Sequence, residues 1–243
     1  MTEKILKILF DCIDYFLAHQ VASKMGYGHQ IDSRKRLDKN TRFIHETFDH
    51  LGNNLKVLEM ASGRGVLAQE IIQKPNVEFY LACDIDPNGI KVLEKRLKRD
   101  KNASKIKTKI ANTIKDELNF ENYFDVVIAD KLLHLLSPEE IEIAFMKANK
   151  LLKPGGYFLI NSASVNNFVF ERTEAENETD LYRKLKSDTL TRLWYNIEIP
   201  YVFFITCEYI QQISEKTGFL YHPDHVCPRD EDYLTVTLCR KSS

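Results

Sequence analysis

Residues 56–65, Lys-Val-Leu-Glu-Met-Ala-Ser-Gly-Arg-Gly, constrain this chain more than any other stretch. Lys56 to Met60 reads as a short buried strand broken only by Glu59. Ala61 to Gly65 reads as a small-residue turn, and Val66 to Ile72 as the helix that follows. Strand, tight loop and helix in that order open a nucleotide-binding βαβ unit. Small residues let the backbone approach a ligand closely, and a helix start offers unpaired N–H groups.

Two ligand classes suit such a loop. Gly63-x-Gly65-x-x-Ala68 matches the dinucleotide pattern, which would make the chain a NAD(P)-dependent oxidoreductase. Counting from the strand separates the classes. The first small residue is Ala61, so the third glycine of that pattern should fall at position 66, which holds valine. The loop instead runs Ala61-x-Gly63-x-Gly65, with Glu59 two residues ahead. This resembles the first motif of class I S-adenosylmethionine (SAM) methyltransferases, acid-x-G-x-G-x-G, with Ala61 in place of the first glycine. Only a positive φ demands glycine, so alanine suits that position where φ is negative.

The rest of the chain continues the alternation of strand and helix. Val77 to Cys83 is a second strand ending in Asp84-Ile85-Asp86-Pro87, where Asp86 can cap a helix that begins with proline. Asp84 lies about twenty residues beyond the glycine loop, the spacing at which an acid meets ribose hydroxyls. Because Asp86 already supplies the cap, Asp84 is read as a ligand group whose loss should spare stability. Ile106 to Ile110 is a third strand, followed by Ala111-Asn112-Thr113, and Tyr123 to Ala129 is a fourth of the fully buried parallel type. Ser137-Pro138-x-Glu140 forms a capping box for the next helix, which ends at Leu152-Lys-Pro-Gly-Gly156 before a fifth strand, Tyr157 to Ala163.

Phe124-Asp-Val-Val-Ile-Ala, then Leu133-x-Leu135 around His134, then Leu151-Leu-Lys-Pro-Gly-Gly and a strand are similar to motifs IV to VI of the same methyltransferases. With Glu59–Gly65 and Asp84 the similarity covers roughly residues 51–163, and it resumes at Thr206–Phe219 and Tyr233–Cys239. The resemblance implies an α/β fold: a seven-stranded, mostly parallel sheet with helices on both faces and the last strand antiparallel. One domain spans 1–243: a helical N-terminal cap over 1–50, a SAM-binding core over 51–163, a lid insertion after strand 5 over 164–200, and a C-terminal helix and strands over 201–243. The resemblance also implies SAM contacts at Glu59, Ala61, Ser62, Gly63, Gly65, Asp84, Ile85, Asn112, Thr113 and Asp130. Asn112 matches the acid or amide that meets the adenine.

Residues 164–200 fit no sheet element and carry Phe168, Phe170, Tyr182, Trp194 and Tyr195; Thr179 to Leu193 reads as a helix. A long insertion after the fifth strand lies over the strands' C-terminal ends, so it is expected to cover a small-molecule acceptor or to form a dimer arm. Methyl transfer needs alignment more than a nucleophilic side chain. An oxygen acceptor would gain from a general base, for which Asp130 and His134 are the candidates. Cytosine C5 chemistry is set aside because no cysteine sits near that loop. The loop also lacks the Asn/Asp-Pro-Pro-aromatic signature of enzymes that methylate base amino groups. A SAM-binding module without turnover is the non-enzyme alternative.

Composition narrows the partners. In 243 residues, 44% hydrophobic and 28% charged, the net charge of −1 gives no global attraction to nucleic acid. Nine Lys or Arg fall within 91–109 (91, 95, 96, 98, 99, 101, 105, 107 and 109) without an aromatic to stack a base, so they read as a solvated face. Five scattered cysteines without a C-x-x-C pair indicate a reducing compartment, and the expectation is cytoplasmic. No run reaches the ~18 apolar residues of a membrane span. The stretch Ile5 to Leu17 reads as an amphipathic helix, packed on the sheet or serving as a lid or dimer contact, with Tyr27, His29 and Arg36 between it and the core. His222-x-x-His225-x-Cys227 lacks a fourth ligand for zinc, so no metal is expected.

Overall fold

The computed structural model describes residues 39–167, 170–177, 179–186, 201–221, 226–230 and 233–240. The expected helix at Ile5 to Leu17, and Tyr27, His29, Arg36, Phe168, Trp194, Tyr195, His222 and His225, lie outside the described residues.

Helix α1 (Lys39–Thr47) leads through a 3-10 turn into strand β1 (Leu55–Glu59). Then follow α2 (Val66–Ile71), β2 (Val77–Asp84), α3 (Pro87–Leu97), β3 (Ile106–Ile110), β4 (Phe124–Asp130), α4 (Pro138–Leu151) and β5 (Leu152–Ala163). The sheet runs β3-β2-β1-β4-β5-β11-β10, where β10 is Val226–Asp230 and β11 is Tyr233–Arg240. The five strands β1 to β5 pair in parallel, whereas β11 is antiparallel to β5. This is the expected seven-stranded arrangement, with a short additional strand, β9 (Phe219–Leu220), on β11.

The caps explain where the helices begin. Asp86 accepts from the backbone N–H of Asn88 and Gly89 ahead of α3. Ser137 and Glu140 close the capping box on α4. Thr206 caps α5 (Cys207–Thr217), which stops at Gly218 with φ 83°, a left-handed end that glycine tolerates best. Each strand face then has its own apolar layer. Val57, Tyr80, Val126, Ile128 and Leu159 pack with Leu67, Ile71 and Leu93 of α2 and α3. Leu58, Val127, Phe158 and Ile160 pack on the other face with Phe145 and Ile210 of α4 and α5.

The basic run is divided among the outer face of α3, the following loop and β3, the edge strand of the sheet. Charged side chains on an edge strand discourage pairing with another chain.

The insertion departs from its expected form. Its strands β6 (Thr173–Glu174) and β7 (Tyr182–Leu185) join β8 (Tyr201–Phe203), just beyond it, in a second sheet of three antiparallel strands. Residues 182–185, expected within a helix, are therefore a strand. Leu-Tyr-Arg-Lys-Leu is locally a fair helix former, but non-local pairing decides: Tyr182 stacks on Tyr201 diagonally across the strands, with centroids 4.9 Å apart. Arg183, between them on the other face, lies 4.4 Å from the Phe170 ring.

Candidate functional site

The strand order turns back between β1 and β4, and ligand crevices in open α/β sheets form at the C-terminal strand ends of such a point. The glycine loop leaves β1 there. Ala61 keeps a negative φ, whereas Gly63 (φ 52°) and Gly65 (φ 71°) are left-handed. Alanine therefore replaces the first glycine without strain. The two left-handed glycines differ in surroundings. A Cβ on Gly65 would stand 2.3 Å from the Leu93 side chain, so that glycine serves helix packing. A Cβ on Gly63 would meet nothing within 4 Å, so that glycine borders open space. Gly89 of α3 is required by the same loop, since a Cβ there would lie 2.7 Å from the Gly63 carbonyl oxygen.

Asp84 latches the loop. Its Oδ2 accepts from the Gly63 N–H at 2.6 Å and its Oδ1 from the Asp86 N–H at 2.8 Å. The expectation that Asp84 faces a ligand alone is thereby revised: the same carboxylate orders both the turn and the start of α3. Ser62 is wholly buried, donates its N–H to the Cys83 carbonyl, and has no hydrogen-bond partner for Oγ among the described residues.

Beneath the loop, Glu59 and Tyr80 are both fully buried, and the Tyr80 hydroxyl donates to Glu59 Oε2 at 2.7 Å. Burial holds the Tyr80 phenol far above its ordinary pKa, with Glu59 and then Asp130 adding to the effect. Thr113 Oγ1 donates to the Met60 carbonyl at 2.9 Å, tying the loop after β3 to the end of β1. Asn112 Oδ1 accepts from the N–H groups of Ile114 and Lys115 at 3.0 and 3.1 Å. Its oxygen thus holds the turn. Ile85 (66% exposed) and Ile110 (56%) stand out at the ends of β2 and β3, whose registers place Asp84 opposite Ile110.

The other half of the site lies at the ends of β4 and β5. Asn161 Nδ2 donates to Asp130 Oδ1 at 2.7 Å, and both residues are buried. Lys131 follows in a left-handed conformation (φ 56°), with its N–H donating to the Asn161 carbonyl at 2.7 Å. Such backbone conformations in non-glycine residues concentrate at functional sites. His134 is 5% exposed in a 3-10 turn, against which β8 packs. Burial, with Lys131 adding repulsion, lowers its pKa to about 3. The chain after β8 reaches this end through the Ile205 N–H, which donates to the Ala163 carbonyl at 2.9 Å, and Val202 and Phe204 are buried against Ala163.

Sequence reasoning missed Tyr80, Gly89, Ile110 and Asn161. For Asn161 the signal was present, an amide in the apolar strand Tyr157-Phe-Leu-Ile-Asn161. Gly89 and Tyr80 act across the fold on Gly63 and Glu59, so no local pattern announces them. Among the described residues no group of three or more His, Cys, Asp or Glu is placed to hold a metal.

Residues 57–156 match the methyltransferase-domain family. The chain carries a methyltransferase domain. Its fold is that of SAM-dependent methyltransferases of known structure. The Mesorhizobium loti SAM-dependent methyltransferase superposes with a TM-score of 0.61 at 15% identity, covering 84% of this chain and 99% of that one. A Burkholderia thailandensis 1,6-didemethyltoxoflavin-N1-methyltransferase, solved with its substrate and S-adenosylhomocysteine, gives 0.62 at 16% identity, covering 84% and 80%. Among curated proteins, the spermidine synthase of Schizosaccharomyces pombe is 28% identical over 141 residues, 54% of this chain and 47% of that protein. The chain thus spans less than half the length of this relative.

The residues of the methyltransferase domain fit SAM. The space a Cβ would fill at Gly63, the buried Ser62 hydroxyl, the Asp84 carboxylate and the exposed pair Ile85 and Ile110 suit a nucleoside with a polar tail.

Proposed function

We propose that this protein transfers a methyl group from SAM to a small-molecule acceptor bound under the lid. The observation that carries the reading is the latched loop: Asp84 holds Gly63 in a left-handed conformation beside open space. In this reading Asp84 accepts from the ribose hydroxyls with its remaining lone pairs, since a carboxylate accepts more than two hydrogen bonds. Ile85 and Ile110 flank the adenine, and the Asn112 amide donates to a ring nitrogen. Bound SAM supplies a methyl carbon already activated by the sulfonium charge. The chain's own task is to align the acceptor and exclude water, and orientation of this kind lowers a barrier by ~7–11 kcal/mol. The β6–β8 sheet and Phe204 provide the exclusion.

Of the two candidate bases, Asp130 is the one we assign to the acceptor. A histidine with a pKa of about 3 takes up almost no proton at neutral pH, so His134 is assigned to packing beneath β8. We place the protein in the cytoplasm, on its unpaired cysteines Cys83, Cys207 and Cys239 and because no described helix is long and apolar enough to cross a membrane.

A second reading follows from the similarity to spermidine synthase and to a Clostridium tetani polyamine aminopropyltransferase: the group transferred would be an aminopropyl chain, which a SAM sulfonium carries once its carboxylate is lost, so the donor would be decarboxylated SAM. Calorimetric titration with SAM, S-adenosylhomocysteine, decarboxylated SAM and NADH separates the readings. The expected result is micromolar binding of SAM and S-adenosylhomocysteine and none of NADH. Preference for decarboxylated SAM would select the second reading, and binding of NADH alone would falsify both.

A further inference from the structure

Residues 91–109 set nine cations against two acids, in a chain whose net charge is −1. Lys91, Lys95, Lys98, Arg99, Lys101 and Lys107 are exposed. None of the nine makes an ion pair among the described residues; such pairs lie elsewhere, as at Lys115–Glu140, Lys150–Glu117 and Lys216–Glu142. Both acids of the run accept from neutral donors. Glu94 takes the Thr108 hydroxyl at 2.8 Å, and Asp100 the Gln73 amide at 2.9 Å and the Asn102 N–H at 2.8 Å. Lys91, Lys95 and Lys98 stand in one row along the outer face of α3, where like charges at that spacing destabilise a helix. On the flank of α3, Arg96 donates to the Arg64 carbonyl at 3.1 Å, and burial together with the Arg64 charge lowers its pKa. Lys107 and Lys109 alternate with Ile106 and Thr108, so they occupy the other face of the edge strand β3. The cations thus wrap an edge of the main sheet and stay uncompensated along it.

A surface of this kind is matched by a partner that brings its own row of negative charges. We infer that the face formed by α3 and the edge strand β3 is a docking surface for duplex RNA, held through its phosphates without regard to base sequence. A flat lipid surface would meet one side of such an edge, not both. Seven of the nine cations are lysines, which act on phosphates as point charges rather than as forks for single carboxylates. From Lys91 to Lys98 the exposed side chains of α3 are lysines and Glu94, with no amide or guanidinium for a base edge. Such groups read the major groove of DNA, whereas the deep, narrow groove of A-form RNA leaves the backbone as what a protein meets. The missing aromatic, on which the reading of a solvated face rests, does not bear on a duplex, whose bases stay paired. The inference is independent of the methyl-transfer reading. β3 lies four strands from β5, about 19 Å across the sheet, so RNA held there leaves the end beside β8 clear.

The test is fluorescence anisotropy of the full chain with a fluorescein-labelled RNA duplex of mixed sequence. Micromolar binding is expected at 50 mM salt, weakening at least a hundredfold by 200 mM, as the release of counterions from about four phosphates requires. A second duplex of unrelated sequence should bind equally well. No binding at 50 mM salt overturns the inference. So does tighter binding to the DNA duplex of the same sequence, to phosphatidylserine vesicles or to polyglutamate. The triple variant Lys91→Gln, Lys95→Gln, Lys98→Gln should lose at least tenfold in affinity and melt no lower than the wild type, because it removes like-charge repulsion. The charge-matched triple Lys115→Gln, Lys150→Gln, Lys216→Gln should stay within threefold of the wild type. Equal losses in the two triples overturn the inference, since the duplex would then sense net charge and not this face. If the first triple does not fold, Lys101→Gln with Lys107→Gln is read in the same way.

Discussion

The two ends of the crevice are built on different terms. At the glycine loop most polar groups meet a partner within the chain, the buried Ser62 Oγ excepted: Asp84 takes the Gly63 and Asp86 N–H groups, Thr113 the Met60 carbonyl, and Tyr80 the Glu59 carboxylate. At the ends of β4 and β5 polar groups are gathered but less fully matched. Asn161 Oδ1 has no donor among the described residues, Lys131 is left-handed, and His134 is buried in neutral form. The first end is a cradle fixed by hydrogen bonds that tie the loop after β1 to the ends of β2 and β3. The second joins β4 to β5, and its 3-10 turn around His134 lies against β8 of the separate small sheet. A donor nucleoside shared by many enzymes suits a preformed cradle, and an acceptor particular to one enzyme suits the end assembled from variable parts.

The largest effect should come from Asp84→Ala, which breaks the cradle. Two backbone N–H groups lose a charged acceptor, at roughly 1–3 kcal/mol each. Chemical denaturation should show a loss of about 2–5 kcal/mol, and SAM affinity should fall at least tenfold. Lost affinity with untouched stability would return Asp84 to a purely ligand-facing role.

The paired variants Gly65→Ala and Gly63→Ala sharpen the contrast within the loop. Both force a left-handed alanine, at ~1–2 kcal/mol. Only Gly65→Ala also drives a methyl group into Leu93, adding ~1–3 kcal/mol of overpacking. Gly65→Ala should therefore lose more stability, and Gly63→Ala should lose more SAM affinity per unit of stability lost. Thermal unfolding and calorimetry on the two proteins decide, and equal profiles would remove the distinction between packing glycine and cradle glycine.

The end formed by β4, β5 and the His134 turn should be the more sensitive to acid. The folded pKa of His134, about 3, lies below its unfolded value of 6.5, so the unfolded chain binds more protons between those values. The contribution is fully present above pH 6.5 and is lost as pH falls, at up to ~1.4 kcal/mol per pH unit. Between pH 7.5 and 5.5 the wild-type protein should lose about 1 kcal/mol more than His134→Gln in urea titrations. Parallel pH curves for the two proteins would show an imidazole that titrates normally.

The smallest effect concerns the small sheet. A double-mutant cycle between Tyr182→Ala and Tyr201→Ala should give a coupling of ~0.5–1.5 kcal/mol from their stacked rings. Zero coupling would separate β7 from β8.

How much could be read before the fold was known follows the range of each interaction. β3 was legible to the residue, and β1, β2 and β4 to within one, because buried strands are continuous apolar runs bounded by turns. Helix starts were legible because caps are local: Asp86, Ser137 with Glu140, and Thr206 act within three residues. β5 was placed five residues late, since Leu152 pairs with Phe124 across a register shift that Pro154 and its glycines conceal. The insertion was misread as sheetless and partly helical, because Tyr182–Leu185 becomes a strand only through partners at 173–174 and 201–203. In the site, Gly63, Gly65 and Asp84 were legible by spacing, while the latch of Asp84 on Gly63 spans 21 residues and was not.

By itself the sequence determined the α/β alternation, the glycine loop and the helix caps, since each depends on residues adjacent in the chain or on one periodic face. Only the tertiary structure decided that Asp84 holds Gly63, that Asn161 stands against Asp130 and that β6, β7 and β8 form a second sheet. Those outcomes depend on which strands become neighbours, and no residue carries that information without the partner it meets.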